Sequence, residues 1–356
     1  MSMQINGAPK TRGGKSLDAS TTETAKTTEI AKTTETASTT EAAETTEIAS
    51  TAELLEASSS PSKHAPTTVE LKLLAAGYCV HPEFVTIRRG SFRPAAYPAG
   101  FACIRHPSRG WILFDTGYSS RFEALTQRLP FSLYRRLTPV RFNEKDAAVR
   151  QLAQLGIRAE DVGLVILSHF HADHIGGARD FPQARFLYPE AAYEPLRRLG
   201  PLRATRAGFI PGLLPDDFAD IASPIERTAA WTPLGGDAPL AGGWDLLGDG
   251  SLIAVSLPGH AAGQIGLLLT ARDPARGADG VTRYLLCADA AWSSIALRED
   301  RPPHPAAGLV MDDRAAYRDS FALLRRWQAA DPALVIVPSH CREFFAINDR
   351  QEGSTP

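Results

Sequence analysis

Ser168-His169-Phe170-His171-Ala172-Asp173-His174-Ile175-Gly176-Gly177 follows directly on the apolar run Val162–Leu167. Three imidazoles and one carboxylate fall within the six residues His169–His174. Neutral imidazole and carboxylate are ligands for borderline metals such as zinc. A tight turn just after a strand can aim two of these side chains at one ion and the next two at another. Gly176-Gly177 lets the backbone fold closely behind them. A lone histidine reads as a core or surface group, whereas HxHxDH after an apolar strand reads as metal chelation.

Working outward, the same arrangement recurs. Leu252–Leu257 is a predicted strand that runs into Pro258-Gly259-His260, Tyr284–Ala288 runs into Asp289, and Leu334–Val337 runs into Pro338-Ser339-His340. Polar residues at strand ends can be held rigidly while they project into one cleft. Upstream, Val69–Val80 reads as a strand. Phe101–Arg105 and Trp111–Phe114 flank a hairpin signal and end at Asp115-Thr116-Gly117. Asn143 is placed to cap a helix through Leu155, and Pro189–Leu199 reads as a helix that opens with proline. Asp313–Trp327 has apolar residues at helical spacing. Strands alternating with helices indicate an α/β or α+β class.

Composition bounds the rest. The chain has 356 residues and a net charge of −2. Residues 1–66 hold nine acidic and six basic residues, so the remainder is near neutral at +1. That balance gives no footprint for nucleic acid. No apolar run approaches the length of a membrane span, and the first 30 residues lack the apolar region of a secretory signal. Cys79, Cys103, Cys287 and Cys341 are far apart, which reads as buried thiols in a cytoplasmic protein. Residues 21–50 repeat a six-residue TTExAx unit five times. A period of six matches neither helix nor strand, and the segment has too little apolar surface to order itself. Residues 1–66 are therefore expected to be a disordered tail, either merely solvated or partner-binding. Residues 67–356 are expected to form the folded domain.

On these motifs the chain resembles the metallo-β-lactamase-fold hydrolases over about residues 69–345. The resemblance implies an α+β, four-layer αββα sandwich and two divalent metal ions, zinc favoured over manganese, iron or cobalt. It implies that His169, His171 and His260 bind one ion, that Asp173, His174 and His340 bind the second, and that Asp289 bridges both. Asp115 would orient a ligand from behind. Two such ions make hydroxide available at neutral pH and polarise a carbonyl or phosphoryl oxygen. Asp173 and Asp289 are the carboxylates expected to take part in catalysis, with Asp173 relaying a proton. Family members are often dimers, which implies a homodimer.

Within the family, Asp289 stands where the true β-lactamases have a cysteine ligand. The segments Leu73–Cys79, Phe101–Ile104, Trp111–Gly117 and Asp289–Ala291 look most like the quorum-quenching lactonases. Those enzymes place a tyrosine three residues after the bridging aspartate, and this chain has Trp292, which can donate one N–H bond but no phenolic proton. A lactone or ester hydrolase acting on a small molecule is the implied activity. A phosphotriester hydrolase like the methyl-parathion enzymes is the alternative. A non-catalytic metal-binding scaffold acting through its tail is the alternative from another class. Residues 200–245 exceed what one strand–helix–strand unit needs and carry Phe209, Phe218 and Trp231. They are expected to form a lid-like insertion in which Phe209 and Phe218, with Trp292, line an apolar pocket. The competing reading is ordinary loop packing or a dimer contact. His81, His106 and His304 read as structural or exposed.

Overall fold

Alternate residues of a strand leave on opposite faces, and that alternation sorts the apolar side chains into three cores. In the segment Trp111-Ile112-Leu113-Phe114, Ile112 and Phe114 enter one core and Leu113 another. In Leu285-Leu286-Cys287-Ala288, Leu286 and Ala288 join Ile112 and Phe114, while Leu285 and Cys287 face away into a third. The shared core therefore lies between two sheets, and the two others lie between a sheet and its covering helices. This is the four-layer αββα arrangement of the metallo-β-lactamase fold. The structure is a computed structural model that describes residues 67–345 apart from Asp237. The tail expected over 1–66 lies outside the described residues.

The strands in chain order are β1 (Glu70–Pro82), β2 (Pro94–His106), β3 (Gly110–Phe114), β4 (Val140–Arg141), β5 (Val162–Ile166), β6 (Arg185–Tyr188) and β7 (Ala222–Pro224), followed by β8 (Ala230–Pro233), β9 (Gly242–Asp245), β10 (Leu252–Ser256), β11 (Ile265–Arg272), β12 (Val281–Ala288) and β13 (Val335–Pro338). The first sheet has the order β4-β1-β2-β3-β5-β6-β7 and the second β13-β12-β11-β10-β9-β8. Strands β3, β5 and β6 are parallel neighbours, so the residues after β3 and β5 emerge at one edge. Strands β12 and β13 are also parallel, and β10 runs the same way as β12 because each pairs antiparallel with β11. His260, Asp289 and His340 therefore emerge together. The Ile265 amide donates to the Ser168 carbonyl at 3.1 Å and ties the two sheets beside these ends.

The long helix Arg314–Ala330 covers the second sheet. Its cap is Asp313, whose side chain accepts from the amides of Ala315 and Ala316. Tyr317, Phe321, Leu324 and Trp327 form its buried stripe.

Three expectations need correction. The helix expected from Asn143 to Leu155 is a 3-10 turn, Glu144–Asp146, and a helix, Ala148–Gln154. Ala147 leaves helical geometry between them, with ψ 137°. The helix expected over Pro189–Leu199 divides at Pro195, which has no N–H to continue the ladder. Residues 200–245 are not one lid. They supply three short helices, Pro201–Arg206, Phe218–Ile221 and Ile225–Thr228, together with β7, β8 and β9, which extend both sheets. No helix among the described residues is long and apolar enough to cross a membrane.

Candidate metal centre

All seven side chains read as ligands converge at the shared edge of the two sheets. Their ligand atoms form three groups, each within 4.8 Å: His169, His171 and His260; His169, His174 and Asp289; Asp173, His174 and His340. Asp289 lies among them. Its Oδ2 is 3.1 Å from His260 Nε2 and 3.0 Å from His340 Nε2, and its Oδ1 is 3.3 Å from His174 Nε2. His171 Nδ1 and His260 Nε2 are 2.8 Å apart.

The rings are held from behind. His174 Nδ1 donates to Asp115 Oδ2 at 2.7 Å. Asp115 also accepts the Ser168 amide and hydroxyl, each at 2.8 Å. With the Ser168 hydrogen committed to Asp115, Ser168 Oγ accepts from His169 Nδ1 at 3.0 Å. His340 Nδ1 donates to the Pro98 carbonyl at 2.7 Å. In His169, His174 and His340 the Nδ1 side is thus engaged in the fold, and Nε2 is the nitrogen left to face the cluster. An outer partner that fixes the ring in this way is the usual support of a metal-binding histidine. Asp115 does this from a left-handed backbone, φ 62°. Such strain persists where the surroundings determine it. Gly176 is needed for a close approach, because a Cβ there would lie 2.6 Å from the Gly117 carbonyl.

Electrostatics divide the histidines into two sets. Burial pushes His169 and His260 well below the ordinary imidazole value and lowers His171, with neighbouring imidazoles adding to the effect for His169 and His260. These three are neutral near pH 7, the form that ligates metal. For His174, burial is outweighed by Asp115, Asp173 and Asp289, which hold it well above the ordinary value. His340 reaches about 9 against burial, through Asp289 first and then Asp173. Burial would raise the Asp289 pKa, yet His340, His174 and His260 bring it well below the carboxylate range. The cluster thus attracts positive charge. His169 Nε2, His174 Nε2 and Asp289 Oδ1 are buried without hydrogen-bond partners. Buried polar atoms are rarely left so, and a pair of divalent ions fits this donor set.

The cluster floors a cavity of about 540 Å³. Its walls include Val85, Leu133, Leu137, Leu202 and Val310. Trp292 lines it, buried, with its ring edge-on to His260 at 5.6 Å. Phe209 and Phe218 do not line it. Both are 2% exposed and pack against Phe170 in the core of the first sheet, where Phe218 also meets Tyr188 and Tyr193. The apolar residues of this stretch, expected to line a pocket, fill a sheet–helix core instead. The neighbouring residues Leu202, Thr205, Arg206 and Gly208 reach the cavity.

Tyr118 and Tyr134, which the sequence did not single out, and His81, expected to be structural or exposed, all line the cavity. Tyr118 directly follows Asp115-Thr116-Gly117, which could have pointed to it. His81 is positioned by its pairing with Ala95 across β1 and β2, a register that spacing along the chain does not reveal. His106 is structural. It accepts the amides of Ser108 and Arg109 at Nδ1 and donates from Nε2 to Asp249 at 2.8 Å.

Residues 103–340 match the family model of the Metallo-beta-lactamase superfamily. A probable metallo-hydrolase of Mycobacterium bovis is 28% identical over 249 residues, spanning 67% of this chain and 73% of that protein. The N-acyl homoserine lactonase AiiB of Agrobacterium fabrum is 28% identical over 239 residues, 66% of this chain and 76% of that protein. Among solved structures, an AiiA mutant of B. thuringiensis with N-decanoyl-L-homoserine at its active site superposes with a TM-score of 0.54 at 18% identity. The match covers 78% of this chain and 95% of that one.

Proposed function

The chain belongs to the metallo-beta-lactamase superfamily and is a metal-dependent hydrolase, and on that premise we propose that it opens lactones, or cleaves related esters, with zinc as its metal. The observation that carries this reading is Asp289 set between two groups of histidines at the floor of an apolar cavity. The likeness to an N-acyl homoserine lactonase supports the lactone class.

In this reading His169, His171 and His260 hold one divalent ion, Asp173, His174 and His340 hold the other, and Asp289 serves both. Such a pair supplies a nucleophilic hydroxide at neutral pH and polarises the substrate carbonyl. The protein's own groups do the rest. Asp115 and Ser168 fix the rings of His174 and His169, and the Pro98 carbonyl fixes His340. Asp173, which lines the cavity, accepts the proton of the attacking water and passes it to the leaving alkoxide. Trp292 presents its indole N–H to an acceptor oxygen of the substrate, and the apolar walls exclude water around the acyl part. The four cysteines are free and buried, which supports a reducing, cytoplasmic setting. A homodimer is the assembly the family suggests.

The test is metal content together with a substrate panel. The purified chain should carry about two ions and hydrolyse lactones or aryl esters, with His171→Ala inactive. A preference for phosphotriesters would reassign the substrate class, and a chain without bound metal would overturn the reading.

A further inference from the structure

Two segments that meet beside the cavity mouth carry a single sign of charge. Residues 128–141 contain Arg128, Arg135, Arg136 and Arg141, and residues 197–206 contain Arg197, Arg198, Arg203 and Arg206. Neither segment contains an aspartate or glutamate. The folded domain around them is close to neutral, so this is a local concentration of charge. Arg135 pairs with Glu123 at 3.3 Å and Arg197 with Glu194 at 2.7 Å. Arg136 and Arg203 are exposed, and no ion pair joins either to another described residue.

Apolar side chains stand among these arginines and are equally open to solvent. Leu133 and Leu137 lie one turn apart on the helix Phe131–Leu137, which packs beside Pro201–Arg206, the helix that carries Leu202. These three leucines and Val310 are all exposed, and all line the cavity. Beyond Val310, Asp312 and Asp313 share a groove with Arg206, Arg314 and Arg318, so that side is net positive as well. Large apolar side chains gathered on one exposed surface mark a contact with another molecule. Set among arginines, they match a partner that is apolar inside and anionic at its surface, which is a bilayer containing anionic phospholipid. A second copy of the chain is a poorer match, because a two-fold contact on this face would set its arginines against their own counterparts.

We propose that the rim of the cavity docks on an anionic membrane surface. The leucines enter the acyl boundary, the arginines meet the headgroup phosphates, and the cavity mouth faces the lipid. The contact is peripheral and needs no spanning helix. It goes beyond the hydrolase reading and does not depend on the substrate class.

The test is cosedimentation of the metal-loaded full chain with two kinds of vesicle, phosphatidylcholine alone and equimolar phosphatidylcholine and phosphatidylglycerol. The chain should bind the anionic vesicles at least about tenfold more tightly than the neutral ones, and less tightly as salt rises. The double substitution Arg136→Gln with Arg203→Gln should weaken that binding about thirtyfold. The double substitution Leu137→Ser with Leu202→Ser should weaken it about tenfold. All four side chains are exposed, so both variants should keep the wild-type melting temperature; if the leucine variant unfolds, the arginine variant decides alone. Absence of binding, equal binding to both kinds of vesicle, or binding that the arginine variant retains in full would overturn the proposal. So would a wild-type dimer that the leucine variant converts to monomer, since the face would then belong to self-association.

Discussion

The ligand cluster at the floor of the cavity and the apolar wall around its mouth are held in different ways. On the floor, His174 and His340 are buried, and each is fixed from behind by a hydrogen bond of 2.7 Å. On the wall, Leu137 and Leu202 are 72% and 73% exposed and sit on short helices, Phe131–Leu137 and Pro201–Arg206. The floor draws on the ends of strands in two sheets, which cannot shift without repacking a core. The wall draws on elements whose loss uncovers little. Chemistry is thus placed on the rigid part and selectivity on the adjustable part.

Substitutions can break or sharpen this contrast. On the floor, Asp289→Ala should lower kcat/KM about a thousandfold or more, since it removes the group common to both histidine sets. Bound metal, measured by elemental analysis, should fall with it; full metal content with full activity would separate Asp289 from the chemistry. Phe218→Ala should cost about 3–5 kcal/mol in denaturant unfolding. It should leave the preference for long over short acyl chains unchanged, because Phe218 lies in the core beside Phe170 and Phe186. A change in chain preference without loss of stability would restore a lid role. Asp115→Asn should weaken metal affinity about 10–100-fold, read by competition with a chelator. His106→Ala removes the acceptor of two amides and should cost about 1–3 kcal/mol of stability, with kinetics of the surviving enzyme unchanged. The smallest effect is expected on the wall. Leu202→Ala should raise KM for a long-chain substrate about two- to tenfold and leave bound metal at the wild-type level.

The same contrast explains what could be read from the chain itself. Each floor residue sits one to four residues past an apolar strand or inside one short motif, so sequence spacing records the geometry. Asp115 was found for the same reason, at the end of β3. The wall comes from segments distant in sequence, near residues 79–86, 97, 118, 130–138, 202–208 and 306–310. No periodicity links them, and only the fold brings them together. Phe209 and Phe218 show the converse error. Aromatic residues in a Gly- and Pro-rich stretch suit a pocket wall and a sheet–helix core equally well. The arbiter was their packing against Phe170, a residue between two ligands. His81, expected to be structural or exposed, reaches the cavity because β1 extends past Val80 and carries it there.

Gly208 joins floor and wall. It ends the segment carrying Leu202 and Thr205, has φ +67°, and a Cβ there would stand 2.6 Å from the His171 ring. Any larger residue at 208 would displace an imidazole of the cluster, so the position is closed to change. The exposed positions before it, Leu202 and Arg206, face no such barrier. New substrate ranges can therefore arise by drift along one short helix while its last joint keeps the catalytic floor from drifting with it.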